Sequence, residues 1–115
     1  MGIIHKFKQF DVGDIGVSAI TVSELQYGVA KSKNRRLNKQ RVEEFLSPLE
    51  ILSFDEKAAD IYGEIRLQLG KFGEPIGPLD LLIAAQALSR NLGLITNNER
   101  EFKRVKNLKV ENWVR

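Results

Sequence analysis

The chain contains no cysteine, which excludes disulfide scaffolds, thiolate metal sites and cysteine nucleophiles. It has one histidine, His5, which cannot supply a histidine-rich metal site and would have to serve in any Ser-His-Asp triad. Long apolar runs are missing too. The longest nearly uncharged one, residues 81–88, is less than half of the ~20 residues that a bilayer-spanning helix needs. Residues 1–10 alternate charge with apolar side chains and lack a continuous apolar core, so no signal peptide is expected there. The expectation is a cytoplasmic protein with no membrane association. What remains for chemistry is carboxylates, amides and hydroxyls.

What is present fits one small folded domain spanning residues 1–115. Hydrophobic residues make up 43% and charged residues 29%, too apolar a balance for disorder. A chain of 115 residues buries roughly two-thirds of its unfolded surface. Lys and Arg outnumber Asp and Glu 18 to 15, a net charge of +3, which alone is a weak pointer to nucleic acid. The distribution says more. Residues 31–41 hold six basic side chains (Lys31, Lys33, Arg35, Arg36, Lys39, Arg41) and no acid. Such a stretch attracts a phosphate backbone through counterion release, and Lys31, Lys33, Arg35 and Arg36 are the candidate RNA contacts. A plain solvated surface accounts for the run equally well.

The elements alternate along the chain. Residues 15–20 (IGVSAI) are rich in β formers and predict a strand; Thr21 then opens a helix with Val22, Leu25 and Val29 on one face. A second helix fits residues 36–46, stopped by Ser47-Pro48, and residues 49–54 (LEILSF) predict a second strand. Asp55 or Ser53 caps a long helix whose apolar face is Ala58, Ile61, Tyr62, Ile65, Leu69 and Phe72. After a loop at 73–77, Pro78 begins a helix that is apolar almost all round and runs to Asn91, with Gly93 as its stop. Residues 92–96 (LGLIT) predict a third strand, residues 98–105 a turn or short helix, and residues 108–113 a last strand. Strands separated by helices imply parallel crossovers and an α/β fold. Residues 3–10 read instead as the end of a helix. A parallel sheet usually begins with a strand, so the first strand is expected to be missing.

In an open parallel sheet, function collects at the carboxyl edge of the strands. Glu24 is expected there in the first turn of the first helix, and Asp80 in the first turn of the buried helix. The loop after LGLIT brings Thr96, Asn97, Asn98 and Glu101. Carboxylates gathered beside helix N-termini offer hard oxygen ligands that suit Mg²⁺ or Mn²⁺ with several waters. Such ions serve phosphodiester hydrolysis by activating water and stabilising charge on the phosphate. Each acid also has a plainer reading. Thr21 with Glu24 makes a capping box, Asp80 complements a helix dipole, and Glu101 fits a solvated surface. Asp80 stands out because a carboxylate between Pro78 and the run LLIAAQAL lies beside so much apolar surface that it needs partners. Glycines 70, 73 and 77 lack the G-x-G-x-x-G spacing of a dinucleotide site.

The segment GEPIGPLDLLIAAQALSRNLGLITNNEREFKRVKNLKVENW, together with VSAITVSELQYGVAKS before it, resembles PIN-domain ribonucleases of the VapC toxin type. The resemblance runs from Asp14 to Trp113. It implies a PIN-like parallel sheet flanked by helices, and a Mg²⁺- or Mn²⁺-dependent endoribonuclease that cleaves RNA, often tRNA. It also implies a small VapB-like antitoxin partner and a homodimer. Carried over by residue, Glu24, Asp80, Asn98 and Glu101 become metal-site positions, with Thr96 as the accompanying hydroxyl; Asn98 stands where many members have an aspartate. The family's first strand carries a D-T-N motif with a metal-ligating aspartate, and neither Asp11 nor Asp14 matches it. The resemblance therefore implies an N-terminally shortened domain. A sheet short of an interior strand leaves backbone groups unpaired, so an oligomer with repaired sheet edges is expected, and the lost carboxylate predicts a feeble enzyme. The alternative is a non-cleaving module for antitoxin binding or self-association. An upstream reading frame encoding the motif would discriminate between the two.

Overall fold

The computed structural model describes residues 6–8, 15–73, 76–96 and 98–112. Asn97 and Trp113 lie outside the described residues. In chain order the elements are β1 (Lys6–Lys8), β2 (Ile15–Ser18), α1 (Ala19–Ala30), α2 (Arg35–Leu46), β3 (Glu50–Leu52) and α3 (Glu56–Lys71). They continue with α4 (Pro78–Ser89), β4 (Gly93–Ile95), α5 (Glu99–Phe102) and β5 (Val110–Glu111). The α/β alternation is as expected, with element ends shifted by one to a few residues.

The described strands form one sheet in the order β3-β2-β1-β4-β5. β2 runs parallel to β3 and β4 parallel to β5, while β1 is antiparallel to both of its neighbours. Four strands therefore share one direction, and the central one is reversed. Residues 6–8 are a strand and not the end of a helix, and the interior gap expected beside β2 is filled by the chain itself. Lys6 pairs with Val17 on one side and Ile95 on the other, so β1 bonds both flanking edges.

Local chemistry explains the helix ends. Ser18 caps α1, its hydroxyl accepting from Ile20 N at 3.0 Å. The helix thus begins at Ala19, before Thr21, because a serine leaving an extended strand satisfies the first free N–H groups earlier. Asn34 caps α2 and Asp55 caps α3, each accepting from the backbone three residues on. α4 starts at Gly77-Pro78 with no side-chain cap of its own. It ends on Asn91 at φ 56°, with Asn91 N donating to Leu88 O and Leu92 N to Ala87 O, the paired bonds of a left-handed C-terminal cap. Asn91, not Gly93, makes the stop; Gly93 belongs to β4.

Two apolar clusters hold these elements. The larger gathers Leu52, Ile65, Leu69, Leu81, Ile83, Leu94 and Phe102, with Ala84, Ala85 and Ala87 letting α4 approach closely. The smaller joins Val17, Val29, Val42 and Leu46. Ile83 and Phe102 are fully buried, each contributing about 1.5–3 kcal/mol. Phe72, expected on the inner face of α3, is exposed, because the helix ends at Lys71 and Phe72 is its cap. Among the described residues no helix is long and apolar enough to cross a membrane.

Candidate active site

α4 is buried along most of its length, and its N-terminus is where polar groups gather. Asp80 is the third residue of the helix and half-buried, which puts an acid in the first turn, at the positive end of the helix dipole. Gly77 supplies no cap of its own, and the chain provides one from a distance. Glu101 on α5 accepts from Gly77 N at 2.8 Å through Oε1, and its Oε2 accepts from Asn98 Nδ2 at 3.1 Å. Asn98 N donates in turn to the buried Thr96 Oγ1 at 3.0 Å. Thr96, Asn98 and Glu101 thus form one hydrogen-bonded chain from the end of β4 to the start of the helix that carries Asp80. Three of the site residues expected from the sequence are joined by these bonds, which reach the helix start three residues before Asp80.

Glu24 stands apart from that chain. It is exposed and lies in the second turn of α1, since the helix starts at Ala19. The capping-box reading is corrected, because Ser18 and not Thr21 is the cap. Thr21 is buried, and its Oγ1 has no hydrogen-bond partner among the described residues. Among the described residues no three acidic or histidine side chains stand close enough to hold one metal ion. The donor set is nevertheless of one kind, carboxylate and amide oxygen. That matches an ion held by one or two carboxylates and completed by water and substrate phosphate, not an all-protein cage.

Two residues that matter here were not expected at this site. Gln86 is fully buried in α4; its Nε2 donates to Leu52 O and Ser53 O at 2.7 Å, and its Oε1 accepts from Ser18 Oγ. Its signal is a lone amide inside LLIAAQAL, which burial obliges to find partners. Gly77 is the other, visible only once Glu101 is seen to reach it.

The six basic residues of the α1–α2 turn and α2 are all exposed, and no ion pair engages them among the described residues. Lys31 Nζ lies 4.9 Å from the centre of the Tyr27 ring.

Residues 3–108 match the family model of the PIN domain. The chain is 50% identical over 99 residues to Ribonuclease VapC2 of Rickettsia felis, spanning 86% of this chain and 74% of the relative. It is 43% identical over 101 residues to the tRNA(fMet)-specific endonuclease VapC of Shigella flexneri, spanning 88% and 76%. A crystal structure of VapBC2 from Rickettsia felis, bound to a DNA fragment from its promoter, superposes with a TM-score of 0.84 at 48% identity, covering 86% of this chain and 74% of that one. DNA-bound VapBC from Salmonella typhimurium gives 0.82 at 45% identity, covering 84% and 74%. The reversed central strand and the hydrogen-bonded chain from Thr96 to Gly77 accordingly lie in a protein of the PIN-domain family, of the VapC ribonuclease type.

Proposed function

We propose that this PIN-type nuclease hydrolyses RNA phosphodiester bonds with Mg²⁺ or Mn²⁺, as the toxin of a toxin–antitoxin pair whose partner is a VapB-like antitoxin. The supporting observation is the hydrogen-bonded chain Thr96–Asn98–Glu101–Gly77, which places a second acid at the helix start already occupied by Asp80. Metal-site roles go to Glu24, Asp80, Asn98 and Glu101. Thr96 braces the loop. When bound, the ion lowers the pKa of a water and offsets charge on the phosphate. Asp80 supplies the carboxylate at the α4 N-terminus, Glu101 and Asn98 hold that terminus and the loop in register, and the exposed basic stretch takes the RNA backbone. The Shigella flexneri relative is named for tRNA(fMet), so tRNA is the first substrate to assay. A homodimer and a cytoplasmic setting belong to the same reading.

A second reading is favoured by the lack of a three-acid cluster among the described residues: a module that binds antitoxin or itself without cleaving. One assay separates them. Weak cleavage of tRNA with Mg²⁺ or Mn²⁺, abolished by chelator and reduced about a hundredfold or more by Asp80→Asn, supports the nuclease. Absent cleavage supports the module, and cleavage indifferent to Asp80→Asn overturns the metal-site role of Asp80.

A further inference from the structure

The buried amide at the middle of α4 does more than fill a core position. Gln86 and Ser18 are each fully buried. Leu52 O and Ser53 O can only accept, so the Gln86 NH₂ must face them, and its Oε1 must face the Ser18 hydroxyl. That hydroxyl simultaneously accepts from Ile20 N as the cap of α1. One carboxamide therefore joins three things: the end of β3, the end of β2 with the start of α1, and α4. Glu24 lies six residues beyond Ser18, and Asp80 six residues before Gln86. The two acids are thus tied through their helices, each less than two helical turns away, to the same amide.

We infer that Gln86 is a positioning residue of the active site, its carboxamide setting the start of α1, which carries Glu24, against α4, which carries Asp80. The inference rests on the metal-nuclease reading only for what that geometry serves. Removing a direct hydrogen-bond partner of a metal ligand commonly changes metal affinity by 10–100-fold, and Gln86, which bonds the helix start and not a ligand, is expected to act at the lower end. Gln86→Leu keeps much of the bulk and removes every one of the three bonds. Ser18→Ala removes only the bond to Oε1 and the cap, and serves if Gln86→Leu does not fold. Ser18→Thr keeps the hydroxyl.

The test is Mn²⁺ binding to the full chain by calorimetry without RNA, together with amide exchange of Ser23 and Glu24, whose N–H groups bond into the first turn of α1. We expect Gln86→Leu and Ser18→Ala to weaken Mn²⁺ binding about tenfold or more, Ser18→Thr to restore it, and Gln86→Leu to speed exchange at Ser23 and Glu24. A folded Gln86→Leu or Ser18→Ala variant with a lowered melting temperature but unchanged Mn²⁺ affinity overturns the inference, since a purely structural role predicts that result. If the unaltered chain binds no Mn²⁺, the nuclease reading fails by itself. The exchange arm then decides alone, and unaltered exchange at Ser23 and Glu24 in Gln86→Leu overturns the inference.

Discussion

Glu101 shows how one carboxylate can serve a helix and a site together. Two of its roughly four acceptor positions are used, one by Gly77 N and one by Asn98 Nδ2. The Gly77 bond is charge-assisted and lies at the positive end of a helix that has no cap of its own, which makes it one of the stronger kinds of hydrogen bond. Removing it by Glu101→Ala should cost about 1–2 kcal/mol. Each kcal/mol lowers the melting temperature of a domain of 115 residues by roughly 4 °C. Glu101→Gln should cost much less. Its carbonyl still accepts from Gly77, and Asn98 can turn its own amide to present oxygen to the new NH₂. Thermal unfolding followed by circular dichroism checks both. Equal melting temperatures for Glu101→Ala and the unaltered chain would show that this bond does not hold α4.

At the scale of elements, the basic turn and the start of α2 make an exposed surface in which no ion pair engages a basic side chain among the described residues. Arg35 and Arg36 are exposed at the start of α2, so replacing both by alanine should leave the fold intact. If each contacts one phosphate of single-stranded RNA, the slope of log K against log salt should become shallower by about 1.4, twice the ~0.7 released per phosphate. Anisotropy titrations across a salt series measure it, and an unchanged slope would return the stretch to a solvated surface. The same scale shows what was legible in the residues. α2, α3 and α4 were readable because each announces itself, by Pro48 beyond the end, by Asp55 at the start, and by Pro78 at the first turn. The start of α1 was not, because Ser18 and Thr21 are both good caps, and which one acts depends on where β2 stops pairing with β3 at Leu52. Strand and helix order alone leads to the approach of the loop after β4 to the start of α4, joined by Glu101 and Gly77; Glu24, expected with them, stands apart from that chain. Gln86 could not be reached that way, because its partners lie 33, 34 and 68 residues away.

The least legible part belongs to the whole molecule. Residues 6–8 read Lys-Phe-Lys, too short and too charged to declare a strand inside a sheet, where central strands are usually apolar. Their conformation is set by what flanks them, two strand edges whose backbone groups need partners. Successive N–H groups along a strand point to opposite neighbours. Leu94 N and Thr96 N donate to Lys109 O and Glu111 O on the β5 side, so Gly93 and Ile95 turn theirs toward β1. Phe7→Pro removes an N–H that the same alternation turns toward β2, opposite Gly16, and acts on Ile95 only by disfavouring β1 as a central strand. It should speed exchange of the Ile95 amide while the Leu94 amide, bonded to Lys109, keeps its protection. An Ile95 amide that exchanges at the original rate would mean that β1 does not hold it. Dilution supplies the complementary check on the expectation that the sheet needs a second copy. A strand donated by the same chain protects Ile95 equally at every protein concentration, whatever dimer the folded domain forms through other surfaces. Protection that falls on dilution would mean that the central strand comes from another copy, and that the monomer leaves this edge open.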